Sequence, residues 1–313
     1  MPARLLYTGQ VVVDLVMGLD HLPVSGGDVL ASSAEFASGG GFNVMAAAAR
    51  NDMQVVYLGR HGTGRFGDLA RAAMHAEGIH VANQADPSQD TGLSVALIEP
   101  SAERSFISYV GAEGVLTPAD LLAVEAASAD YVFVSGYSLL HAGKVDALLD
   151  WLTTLPAETQ VMFDPGPLVT SALLPAVVQL LPRIDLWSSN REEAVRFCDC
   201  TSIDQALAQL PALLAPNALV VIRDGSAGCW LGGRVSTRQV GGFAVTAIDT
   251  NGAGDAHAGI LVAALAAGYD APQAAQRANA GAALAVTQWG PATAPRATHI
   301  DQWILDATHM NPS

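Results

Sequence analysis

The segment Asp249-Thr-Asn-Gly-Ala-Gly-Asp255 opens directly onto an apolar run from Ala256 to Ala267. A Gly-Ala-Gly turn entering a helix leaves backbone N–H groups without intrahelical partners. With the positive end of the helix dipole, these make a site for an anion. Glycine lets the backbone approach that anion with no side chain in the way. Gly252, Ala253 and Gly254 form the turn, and Asp255 puts a carboxylate beside it in the first helical turn. Such a carboxylate suits a general base that deprotonates an alcohol while the backbone stabilises transferring phosphoryl oxygens. An ordinary loop-to-helix junction, with an acid favoured by the dipole, fits the same residues equally well.

Other residue groups have the same double reading. Ser38-Gly-Gly-Gly-Phe-Asn43 precedes an Ala-rich helix, and Asn43 either caps that helix or reaches a hydroxyl. Asp14 closes the apolar run Val11-Val12-Val13, where a carboxylate can accept from two hydroxyls of a polyol or serve as a turn residue. Asn190 and Glu193 are three apart on one helical face, a placement for water-mediated Mg²⁺ or for a plain N-cap with its N3 partner. Arg223-Asp-Gly-Ser-Ala-Gly228 is a glycine-spaced loop after a strand, open to a nucleotide or a tight turn. No histidine set has metal-ligand spacing, and neither a Gly-x-Ser-x-Gly elbow nor a Gly-x₄-Gly-Lys-Ser/Thr loop is present.

These groups need a scaffold that gathers strand and helix ends. Near-continuous apolar runs predict strands at 5–16, 55–58, 131–134, 161–164, 185–188 and 219–222. They alternate with helical periodicity at 43–50, 66–77, 118–127, 141–155, 191–197, 203–214, 254–267 and 271–287. That alternation predicts a parallel sheet covered on both faces, with ligands beyond the carboxyl ends of its strands. Two stretches break the rhythm: an extended one over 14–36, turning at Gly26-Gly27, and a hairpin of 92–98 with 104–109 joined through Pro100-Ser101-Ala102-Glu103. Together they form either a small β layer over a pocket or an edge extension of the sheet.

The 313 residues carry a net charge of −15, half are hydrophobic and 14% are charged. The composition is that of a folded globular protein, and the acidity disfavours nucleic acid and anionic membranes as partners. Cys198, Cys200 and Cys229 offer no paired framework and read as reduced thiols. With no signal-peptide pattern and no apolar stretch of membrane-spanning length, the expected location is cytoplasmic.

The order of these motifs resembles the PfkB (ribokinase-like) carbohydrate kinase family. Gly39-Gly40-Gly41-Phe42-Asn43 and Asp249–Asp255 resemble its two signatures. Residues 59–68, Thr91-Gly92, Glu103-Arg104, Gly111-Ala112, Asn190–Glu193 and Gly225–Gly228 resemble its intervening segments. The resemblance implies an α/β fold, with a Rossmann-type three-layer core and a small β-sheet lid. One kinase domain then spans 1–313, with lid segments near 14–40 and 91–112. It also implies ATP and Mg²⁺ as cofactors, a sugar or polyol as substrate, and a homodimer formed through the lid.

Carried over by position, Asp255 is the base, and Gly252, Ala253 and Gly254 are the anion hole. Asp14, Gly39, Gly40 and Asn43 hold the sugar, with Glu113 as a further hydroxyl acceptor. Asn190 and Glu193 organise Mg²⁺ and phosphates, and Gly225, Gly228 and Asn279 lie along the nucleotide. Asp249 and Thr250 fall where many members bind a monovalent cation such as K⁺. The chain departs from the usual pattern at Gly40 (commonly Lys in ribokinases), Phe42 (commonly small), Glu113 (commonly Asn), Arg223 (Thr) and His257 (Phe). The reading is a free-sugar kinase; a nucleoside kinase of the same family and a non-catalytic sugar-binding regulator are the alternatives.

Overall fold

The computed structural model describes residues 2–100, 104–140, 142–170 and 174–310. Most of the expected hairpin turn, including Glu103, and the first residue of the helix expected at His141 lie outside them.

Nine strands form the main sheet: β1 (Arg4–Tyr7), β4 (Gln54–Tyr57), β5 (His80–Val81), β8 (Tyr131–Ser135), β9 (Gln160–Asp164), β10 (Leu186–Asn190), β11 (Leu219–Arg223), β12 (Cys229–Gly233) and β13 (Arg238–Val240). Their order is β13-β12-β11-β10-β9-β8-β1-β4-β5, parallel from β5 to β11, with β12 and β13 antiparallel at the edge. A second sheet holds β2 (Val11–Gly18), β3 (Ser33–Gly40), β6 (Leu93–Ile98) and β7 (Arg104–Tyr109), ordered β3-β2-β6-β7. Here β2 runs parallel to β6 and the outer pairs are antiparallel.

The apolar strands are buried on both faces, and the two-residue alternation sorts their side chains into two cores. Leu5, Tyr7, Leu219 and Val221 face one core with α1 (Gly41–Arg50), α8 (Ala253–Ala266), α9 (Ala271–Ala285) and α10 (Ala297–Met310). Leu6, Val220 and Ile222 face the other. There they meet α3 (Pro118–Leu121), α4 (Ala142–Thr154), α5 (Pro175–Leu180), α6 (Arg191–Phe197) and α7 (Ile203–Leu213). The result is a three-layer α/β core, as expected. The remaining helix, α2 (Arg65–Ala76), packs against β2, β3 and β5.

Three expectations change. The apolar run 5–16 is two strands, because the chain turns at residues 8–10 and β2 enters the smaller sheet. The helix expected at 118–127 stops at Leu121. α5, α10, β5, β12 and β13 were not expected; α10 packs on the core through Ile300, Trp303 and Ile304.

Two features set the site. α8 is apolar all round and lies buried between α1 and α9. Gly259 brings α8 so close to α1 that an added Cβ would stand 2.3 Å from the carbonyl oxygen of Val44. The chain also crosses between the two sheets four times among the described residues: through Gly9, at Gly40-Gly41, at Thr91-Gly92 and at Val110-Gly111. Among the described residues no helix is long and apolar enough to cross a membrane.

Candidate active site

The close packing of α1 on α8 brings the two helix starts together. Gly252 precedes α8 with φ of +72°, and an added Cβ would lie 1.9 Å from the carbonyl oxygen of Pro291, so only glycine fits. No described side chain caps α8. The N–H of Ala253 turns back on the carbonyl of Thr250 at 3.3 Å, and those of Gly254 and Asp255 have no intrahelical acceptor.

Asp255 is half-buried, and its Oδ2 accepts from Nδ2 of Asn43 at 3.0 Å. Asn43 is therefore no cap: it lies inside α1, and its buried Oδ1 has no partner among the described residues. Asp14, on β2, faces the same space from the smaller sheet. A Cβ on Gly39 would fall 1.9 Å from its carboxylate, which explains the glycine there. Burial pushes the Asp255 carboxyl up to about 6; the Asn43 bond opposes this, Asp164 adds to it, Arg223 opposes it and Glu193 adds to it. Burial, then the Asp255 charge, lifts Asp14 to about 6 as well.

A charged cluster lies on the other side of Asp255. Arg223, the last residue of β11, donates through Nη1 to Oδ2 of Asp164 at 3.0 Å and to the buried Oγ of Ser188 at 2.7 Å. Its Nη2 is 3.6 Å from Oε2 of Glu193. Burial opposes the Arg223 charge, but Asp164, Glu193 and Asp255 outweigh it and hold the guanidinium protonated. Sequence reasoning missed Asp164 and Ser188 and gave Arg223 no role. Asp164 ends the apolar run Val161–Phe163 as Asp14 ends Val11–Val13, so the same signal was present in the sequence, although Asp14 lies inside β2 rather than at its end.

Several expected residues have their polar atoms in use. Asn190 and Glu193 form a reciprocal cap on α6, each side chain accepting the other's N–H at 2.8 Å. Asn279 donates to the carbonyls of Val240 (3.0 Å) and Gly241 (3.1 Å) and accepts from Nε2–H of buried His257 at 3.1 Å. Burial, with the Arg223 charge, drops His257 to about 3, so it is neutral. Gly225 and Gly228 turn the chain from β11 to β12 with φ of +56° and +92°, and the space beside Gly225 is open. An open groove lined by Val240, Gly241, Phe243, Gln273 and Trp303 adjoins this turn. Asp249 accepts from the N–H groups of Asn251 (2.8 Å) and Gly290 (3.1 Å), fixing the loop with Thr250 before α8.

Glu113 has a different position from the expected one. It is buried, and its two oxygens accept from the N–H groups of Gly92 and Gly111, both at 2.8 Å. It staples two of the crossings between the sheets. Lys144 lies near it with its amine buried and without a hydrogen bond among the described residues; burial lowers that amine to about 7 against the pull of Glu113.

The comparisons with known proteins agree with one another. The pfkB family carbohydrate kinase profile matches residues 3–298. The uncharacterized sugar kinase YegV of Escherichia coli K12 is 28% identical over 299 residues, covering 93% of this chain and 90% of that protein. Fructokinase of Vibrio alginolyticus is 29% identical over 313 residues, covering 95% and 97%. The solved structure of Arabidopsis thaliana ribokinase complexed with ribose and ATP has a TM-score of 0.81 and covers 97% of this chain and 99% of that one. At 23% identity, that likeness speaks to the fold.

Proposed function

The chain belongs to the pfkB family of carbohydrate kinases and is a phosphotransferase of the sugar and nucleoside kinases; on that premise we propose that it phosphorylates a free sugar or related polyol from ATP. The observation that carries this reading is the convergence of Asp14, Asn43 and Asp255 at the uncapped start of α8. Two carboxylates and the unpaired Oδ1 of Asn43 are acceptors, and a polyhydroxylated ligand supplies the donors. Asp255 takes the proton of the attacking hydroxyl, and the first turn of α8 faces the transferring phosphoryl group.

The nucleotide lies along Gly225 and Gly228, with its base toward the groove beside Val240 and Gly241, whose carbonyls Asn279 ties to α9. The room at Gly225 and the uncapped helix fit a phosphate chain. Among the described residues no group of three or more carboxylates, cysteines or histidines makes a metal cage. Asp164 and Glu193 instead suit a Mg²⁺ held mostly by water and phosphate oxygens. Bound there, the ion neutralises phosphate charge. Asp249 and Thr250 are the residues for a monovalent cation, and the exposed lid strand β7 is the surface for a homodimer. An acidic, ATP-consuming enzyme of this kind belongs in the cytoplasm.

A coupled ADP-release screen with Mg·ATP against pentoses, hexoses, sugar acids and nucleosides tests the reading, with Asp255→Asn as control. A sugar hit whose turnover drops at least ~10²-fold in that variant is the expected result. A nucleoside-only hit replaces the acceptor class, and a folded, silent enzyme overturns the proposal.

A further inference from the structure

Arg223 carries more donors than the protein uses. Both of its hydrogen bonds leave from Nη1, to Asp164 and Ser188. Nε and Nη2 make none among the described residues, Glu193 standing at 3.6 Å. These two nitrogens form the side-on edge of the guanidinium, the fork that meets a phosphate or carboxylate with two parallel bonds. The guanidinium lies against the first turn of α8: a Cβ built on Gly254 would stand 3.5 Å from Nη2 and 3.6 Å from both Nε and Cζ, near-equal distances that put the flat face on Gly254 and let the fork open alongside the helix start. The Arg223 side chain is only 13% exposed, so the fork is held in place by Asp164 and Ser188.

We propose that Arg223 presents this fork to the phosphoryl group in flight, completing with the N–H groups of α8 the anion site beside Asp255. The inference rests on the kinase reading above. As the bond between the γ-phosphorus and the bridging oxygen breaks, its electron pair leaves with ADP. The acceptor oxygen bonds to phosphorus, and its proton passes to Asp255. Arg223 stays protonated throughout; its donors meet the equatorial oxygens on which charge accumulates. The same cation separates Asp164, Glu193 and Asp255, three carboxylates that would otherwise repel an incoming polyphosphate. A lysine at this position would supply the charge without the fork.

The test compares wild type, Arg223→Lys and Arg223→Thr on the best acceptor from the screen. Expected for Arg223→Thr is a kcat lower by about 10²–10³-fold, the usual loss for a donor to a developing oxyanion, with the KM for sugar within about threefold. Arg223→Lys recovers part of that loss, and added guanidinium ion rescues Arg223→Thr. Calorimetry supplies a second readout: ADP with aluminium fluoride and sugar binds far more weakly to the variants, while ADP alone binds as to wild type. A purely structural Arg223 predicts the opposite pattern: ADP and its fluoride complex weaken together, sugar KM rises and guanidinium does nothing. That result overturns the inference. If Arg223→Thr does not fold, Arg223→Lys decides the matter by the same two readouts. A wild type silent in the screen removes the kinase reading itself, whereas an active wild type with unimpaired Arg223 variants removes only this inference.

Discussion

At the scale of single residues, the site is a set of acids kept from ionising easily. Burial lifts Asp255 and Asp14 to about 6 each, and the Asn43 donor holds Asp255 below where burial alone would put it. A general base works only when ionised, so kcat/KM falls about tenfold per unit as pH drops below that value. Asn43→Leu removes the donor, and the acid limb then moves to higher pH. A pH profile of kcat/KM between 4.5 and 8 checks this, and an unmoved limb would show that Asn43 does not tune the base. Asp255 and Asn43 were legible because each follows a glycine motif that opens a helix; Asp14 was singled out by the apolar run before it, though it lies inside β2 of the smaller sheet and not at the main sheet's carboxyl edge. Arg223 and Glu113 were not legible. The first depends on Asp164 and Ser188 arriving from two other strands, and the second on Gly92 and Gly111 meeting in space.

At the scale of elements, the distance between α1 and α8 decides whether Asn43 reaches Asp255. Gly259 sets that distance, so Gly259→Ala forces the helices apart or shifts the Val44 turn. Overpacking of this kind costs about 1–3 kcal/mol. The expected outcome is a lower melting temperature together with a reduced kcat, measured by thermal unfolding and steady-state kinetics on one preparation. A variant with normal activity would separate the packing from the site. Ala-rich, glycine-spaced helices were readable from sequence because only a buried helix can be apolar on every face. α10 was overlooked: its buried face is a short stripe of Ile300, Trp303 and Ile304 among polar residues. The 5–16 run misled for the converse reason, since an apolar run does not tell which of two sheets takes each half.

At the scale of the whole molecule, the four-stranded lid ends at β7, which pairs on one side only among the described residues. On β7, Phe106, Ile107 and Tyr109 are 56%, 65% and 68% exposed, too much apolar surface for an edge strand left open to water. Ile107→Glu is expected to turn a dimer into a monomer by light scattering, with little change in the stability of the core; a wild type that is already monomeric refutes the dimer. The existence of a lid was legible in the broken rhythm of 14–36 and 92–109, but its attachment was not. The lid is tied to the core by four glycine-containing crossings, two of them clasped by one carboxylate, Glu113. Those crossings all line one end of the lid, where Val11 pairs with Gly40, Val13 with Leu93 and Leu93 with Tyr109, so the sheet is a flap hung along a single edge. A ligand drawn against Asp14, which pairs with Ser94 two residues from the clasped Gly92, therefore bears on that hung edge and moves the flap as one piece. Such an attachment disfavours a half-shut state in which ATP is spent on water.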